Sequence, residues 1–260
     1  DLGRGIREHD YADIIDIAKA LELMDDDSCF YYSFSSTVDA VSRAKNRKKV
    51  TGEQYLALKA HLSHLVHKSL PKSEFIQHEG YLIACEAKLG TLTGMSWPEW
   101  SALVDRAESV PNESDKAFVL AITASCISSK HQKHKVAVFK KAKEIADQIS
   151  SPADQLSRYQ SIAEFAWDVD PKISHECLRE GIFRHEKSSV DAVWEGKRKL
   201  IDLAYQIDAD LPGQLIGMLD DDPARLETKR HLQERSQFLE MRKALSEESR
   251  DLDRLATRQL

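Results

Sequence analysis

An internal correspondence at an offset of 38 residues constrains this chain most. Ala166-Trp167-Asp168-Val169-Asp170-Pro171-Lys172-Ile173 aligns with Ala204-Tyr205-Gln206-Ile207-Asp208-Ala209-Asp210-Leu211, so a small residue, an aromatic, a β-branched residue and an aspartate recur in equivalent places. The same offset sets Ile162 over Leu200, Phe165 over Leu203, Cys177 over Leu215 and Leu178 over Ile216. Upstream, Ile83-Ala84-Cys85 and Ile122-Thr123-Ala124 lie about 40 residues from each other, and the second about 40 from Ile162-Ala163. A period of that length fits a supersecondary unit that cannot bury its apolar side alone, whereas stacked copies bury a continuous core. Each unit is expected to be a pair of antiparallel helices whose small residues let the neighbouring helix approach.

Composition agrees with an all-α chain. Of 260 residues, 42% are apolar and 31% charged, with only 10 Gly and 7 Pro. Typical usage is about 7% Gly and 5% Pro, so most of the turn punctuation that an all-β chain would need is missing. Helical spacing runs through Tyr11, Ile14, Ile15, Ile17, Ala18, Leu21 and Leu23, and Asp25, Asp26 and Asp27 are expected to end that run. The stretch Phe30, Tyr31, Tyr32, Phe34 reads as helix in preference to a short strand, with Ser35-Ser36-Thr37 as the cap of a further helix reaching Arg47. Thr51-Gly52-Glu53-Gln54 has the form of a capping box opening a helix to Leu70, before Pro71. Ser96-Trp97-Pro98-Glu99, Ser151-Pro152, Asp170-Pro171 and Asp222-Pro223 place capping oxygens beside first-turn prolines, whose missing N–H costs nothing there.

These signals divide the chain into a helical region over 1–72, a repeat array over 73–222 and a charged terminal helix over 223–260. The array is expected to hold four pairs, at about 73–110, 114–150, 151–187 and 190–219. In the terminal segment Phe238, Leu245 and Leu252 are spaced by seven. Met241 and Leu255, three residues after the first and last of these, form a second line that Glu248 interrupts, so a helix packed on the array and a coiled-coil arm both fit.

The formal charge of −6 excludes a chain-wide basic field for nucleic acid. The four cysteines, Cys29, Cys85, Cys126 and Cys177, form no C-x-x-C pair, which points to reduced core thiols, a cytoplasmic setting and no zinc site. No apolar stretch approaches the length of a membrane helix and no signal peptide is evident. The start at Asp1 and the end at Leu260 within a helical pattern suggest part of a larger polypeptide.

The Ala-aromatic helix pairs between Ser73 and Leu219 resemble α-solenoids of tetratricopeptide or HEAT type. The period is longer than the 34 residues of a tetratricopeptide, and that consensus's Trp and Gly positions are missing. The resemblance implies a right-handed α-solenoid of antiparallel helix pairs acting as an interaction, sensor or scaffold module. It would present the groove of the stacked pairs to a protein partner, as do the sensor regions attached to signalling NTPases and bacterial defence proteins.

Four sets of residues suggest site chemistry. Lys130, Lys133, Lys135, Lys140, Lys141 and Lys143, with His131 and His134, fall where no acidic residue occurs between Asp115 and Glu144. With Val138, Ala142, Ile145 and Ile149 inward, Lys133, Lys140, Lys141 and Lys143 form an outward basic ridge that, with Lys130, would suit nucleic acid or another polyanion. Solvation of a surface helix is the plainer reading of such a run. Arg43, Lys45, Arg47, Lys48 and Lys49 form a second basic run in an expected loop. His61, His64 and His67 are spaced by three, which drifts about 60° per step and does not aim all three at one metal ion. Arg179 to His185 and Arg225 to His231 resemble the Arg/His pattern of helical RNases of the HEPN type, although Glu180 and Leu226 replace the usual small polar residue. No phosphate loop, dinucleotide fingerprint, zinc-protease helix or nucleophile elbow is present, so no cofactor and no catalytic residue is expected.

Overall fold

A sequence with few Gly or Pro interruptions and capped helix starts gives helices joined by short turns among the described residues. The computed structural model describes residues 16, 21, 27–66, 79–184 and 191–207, with single positions 211, 230, 233, 234, 237, 238 and 241. Among these there is no strand. The helices are α1 (Asp27–Asn46), α2 (Gly52–His64), α3 (Glu79–Thr93), α4 (Trp97–Glu108), α5 (Glu113–Cys126), a 3-10 turn (Ser129–His131), α6 (Gln132–Ala146), α7 (Pro152–Ala166), α8 (Pro171–Phe183) and α9 (Asp191–Ile207). The terminal segment over 223–260, the helix expected from Tyr11 and the second half of the fourth pair lie almost wholly outside the described residues.

The helix starts follow their capping chemistry. The Thr51 hydroxyl accepts from the Gln54 N–H while the Gln54 side chain accepts from the Thr51 N–H, closing the expected box. At α4 the Glu99 carboxylate accepts from both the N–H and the hydroxyl of Ser96, and those bonds lower its pKa. Ser151 and Asp170 cap α7 and α8 beside Pro152 and Pro171. Asn112, whose side chain accepts from the Asp115 N–H, caps α5 two residues ahead of the expected start at Ser114.

Two sequence expectations are corrected. Helix α1 begins at Asp27 and runs unbroken through Ser35-Ser36-Thr37. The Thr37 hydroxyl donates to the Ser33 carbonyl 2.8 Å away, an i to i−4 bond that satisfies it within the helix and leaves it no capping role. Arg43 and Lys45 are in the last turn of α1, and only the following basic residues form the turn, where Lys48 adopts φ of 56°.

The chain divides into two compact units, Asp1–Ile145 and Ala146–Leu260, so the division falls inside the segment read as one array. In the first unit α3 is the hub, packing on α1, α2, α4 and α5, while α4 also packs on α5. Tyr31 meets Tyr81 and Phe118 with ring centroids 6.2 and 6.1 Å away. Farther along the same helices Asp39 pairs with Lys88 at 3.8 Å, and both act on the buried Cys126 thiol. Gly90 lets the Trp100 ring approach, since a Cβ there would stand 2.7 Å from it. Arg106 crosses from α4 to bind Glu86 of α3 at 2.6 Å.

In the second unit α7 packs on α8 and α9, which also touch each other. Ser174 donates to the Ala163 carbonyl at 2.8 Å, and Gly181 admits Leu200 and Tyr159. The Tyr159 hydroxyl donates to Asp147 at 2.6 Å, and Gln155 donates to the carbonyls of Ala146 and Asp147, which ties the connection before α7 to that helix. Both cores are aliphatic and alanine-rich, with Leu120, Ile122 and Phe139 in the first and Leu156, Ile162 and Leu178 in the second fully buried.

Candidate binding face on α6

The basic run is built on the 3-10 turn and α6. The Ser128 hydroxyl accepts from the Lys130 N–H to start the turn. In α6 the apolar positions set the orientation: Val138, Phe139, Ala142 and Ala146 are buried, whereas Ile145, expected inside, is half-buried. Lys130, Lys133, Lys140 and Lys141 are exposed and Lys143 is half-buried.

The six lysines are not equivalent. Lys135 turns inward, its ammonium donating to the carbonyls of Ser125 and Ile127 at 2.9 and 3.1 Å. It thereby satisfies the open C-terminal end of α5. Burial lowers its pKa, partly opposed by the nearby Cys126. Burial also pushes the Cys126 thiol up, against the pull of Lys88. Lys141 is held in an ion pair with Glu108 of α4, and Lys143 is also engaged. The ridge narrows to Lys130, Lys133 and Lys140, with Lys133 and Lys140 seven residues apart and therefore about 10 Å along one side of the helix. Glu144 is exposed one turn beyond Lys140.

Beside this lysine row lies an aromatic cluster that no sequence pattern marks. The Trp97 indole, at the first position of α4, stacks on the His134 imidazole with centroids 3.8 Å apart and an interplanar angle of 19°. His131 approaches the same indole at 5.7 Å. Trp97 and His131 are half-buried and His134 is exposed. The Ser96–Glu99 box and Pro98 fix the backbone that carries the indole. The partners are 37 positions apart in sequence, on the first turns of two different helices.

The other candidates are dispersed. Lys45 lies over the Tyr55 ring, 4.1 Å from its centroid, while Arg47 to Lys49 are exposed. His61 is half-buried, His64 exposed, and His67 lies outside the described residues. Among the described residues no group of three His, Cys, Asp or Glu side chains is placed to hold a metal ion. Arg179 pairs with Glu180 at 3.5 Å, and His185, Arg225 and His231 lie outside the described residues. Cys85, Cys126 and Cys177 are buried thiols that form no disulfide among the described residues. No helix among the described residues is long and apolar enough to cross a membrane.

No protein-family model, curated protein or solved structure matches the chain.

Proposed function

We propose that the chain is a non-catalytic helical-repeat module, an α-solenoid of antiparallel helix pairs, that binds a protein partner. One observation carries the reading: most of the aligned positions 38 residues apart share their environment. Ile162 and Leu200 are buried, as are Ala166 with Ala204 and Ile173 with Leu211, while Trp167 with Tyr205 and Val169 with Ile207 are half-buried; the half-buried Phe165 over the buried Leu203 departs from the pattern. Repeats of one structural unit require such agreement. Contacts of α1 with α3 and α3 with α5, and of α7 with α9, also favour alternation of stacked first helices and intervening second helices. Gly90 against Trp100 and Glu86 against Arg106 favour opposed directions for α3 and α4. The alternation would begin at α1, earlier than residue 73. Tyr32 and Leu56, each 62% exposed, are apolar groups available to a partner.

The test is affinity capture with the intact chain, followed by purified reconstitution with the recovered protein. Tyr32→Glu with Leu56→Glu should retain helicity and melting temperature but lose at least tenfold in partner affinity. Unchanged affinity across substitutions of every exposed apolar side chain, or turnover of a substrate by the purified chain, would refute the reading.

A second reading is favoured by Lys130, Lys133 and Lys140, which stay exposed and outside any ion pair among the described residues. They suit a polyanion, whose binding would weaken with salt as counterions are released.

A further inference from the structure

We propose that Trp97 and His134, with Lys130, Lys133 and Lys140, form a site for single-stranded nucleic acid, in which a base extends the Trp97–His134 stack and the lysines hold its phosphates. The inference rests on the polyanion reading and narrows it. Lysines alone distinguish little among polyanions, because phosphate contacts position a strand without selecting its bases. Aromatic faces add the discriminating element: an unpaired base has a free π-face, whereas a base in a duplex is already stacked.

Four features support the site. The Trp97 and His134 rings are 3.8 Å apart and nearly parallel, the spacing at which a third flat ring continues a column. His134 is exposed, so part of its imidazole is accessible to solvent. His131 flanks the indole, and the exposed Lys130 and Lys133 immediately precede the two histidines in the chain. Of the carboxylates near the row, Glu99 is turned back onto the Ser96 N–H and hydroxyl, while Glu144 is exposed one turn beyond Lys140. A ring pair serving only to pin α4 to α6 would not need exposed lysines on the same stretch of chain.

The experiment measures fluorescence anisotropy of labelled 20-nucleotide oligo(U) and oligo(dT), a 20-base-pair duplex and heparin, over a salt series with the full chain. Binding of the single strands at least tenfold tighter than the duplex, with a log–log salt slope near −2 for three phosphate contacts, is expected. Equal binding of oligo(U) and oligo(dT) would indicate recognition of the shared pyrimidine ring and phosphate chemistry; preference for one would add selection by the sugar or by the thymine methyl group. His134→Ala, at an exposed position, should weaken single-strand binding severalfold with the slope unchanged, while His134→Phe restores it. Trp97→Ala should cost about tenfold, checked for folding by circular dichroism. The Lys130→Glu, Lys133→Glu, Lys140→Glu variant should abolish binding. If heparin and duplex bind as tightly as the single strands and His134→Ala changes nothing, the stacking site is overturned while the polyanion reading stands. Absence of binding to every probe at low salt overturns both, and neither outcome bears on the protein-partner reading.

Discussion

Burial of Tyr31, Cys126 and Tyr159 makes the fold sensitive to alkali. All three groups have raised pKa values, chiefly because burial disfavours their anions; at Tyr31 the neighbouring thiols add to it, and at Tyr159 the bond to Asp147 does. Below the ordinary values of 9.0 for the thiol and 10.0 for the phenols, both folded and unfolded chains keep these protons. Above them the unfolded chain releases protons that the native state retains, so stability falls with rising pH by about 1.4 kcal/mol per pH unit for each group. Lys135, with its lowered pKa, acts in the opposite direction, but it is one group against three. Melting temperatures should hold to about pH 9 and drop steeply by pH 10.5, and Tyr31→Phe should flatten that drop. A melting temperature unchanged to pH 10.5 would contradict it. Two glycines give a contrasting pair. A Cβ at Gly90 meets the rigid, buried Trp100 ring, so Gly90→Ala should destabilise by about 1–3 kcal/mol. A Cβ at Gly52 meets nothing within 4 Å, so Gly52→Ala should stabilise by about 0.4–1 kcal/mol. Denaturant titration separates the two signs.

Helix ends were legible in sequence where the capping residue bonds within three positions, as at Thr51, Ser96, Ser151 and Asp170. Ser35-Ser36-Thr37 misled because a hydroxyl that can cap a helix can equally bond back to a carbonyl inside one, as Thr37 does. Asn112 capping α5 should cost about 1 kcal/mol on Asn112→Ala, read from chemical denaturation; no loss would show that water replaces the cap. The candidate face was legible only in part. Lysine spacing marked the row, yet the inward turn of Lys135 depends on the carbonyls left open where α5 ends, and the Lys141 pair depends on Glu108 in another helix. The Trp97–His134 stack joins residues from two elements and has no local signature.

Each compact unit has a helix packed on several others, α3 in the first and α7 in the second. Amide hydrogen exchange should therefore be slowest in α3 and α7 and faster in α2, which among the described residues packs chiefly on α1 and α3. Ile162→Ala, which empties a fully buried position of α7, should cost about 2–5 kcal/mol and raise exchange in α8 and α9. Uniform exchange rates across all helices would contradict this ordering. The all-helical architecture was visible from the scarcity of Gly and Pro and the 38-residue offset. The division at 145/146 was not, because it follows from the distribution of contacts along a continuous run of helical spacing.

Tyr31, Tyr81 and Phe118 meet at one level of α1, α3 and α5, and Asp39, Lys88 and Cys126 interact at another. Two such levels act as rungs, and rungs restrict where the chain can change length. One residue inserted between them turns every later side chain of that helix by about 100°, away from its neighbours. The same residue added at 47–50 or 109–111 disturbs no rung. Length variation among descendants of this sequence, and loops or tags grafted onto it by design, should be tolerated in those connections and selected against between the rungs.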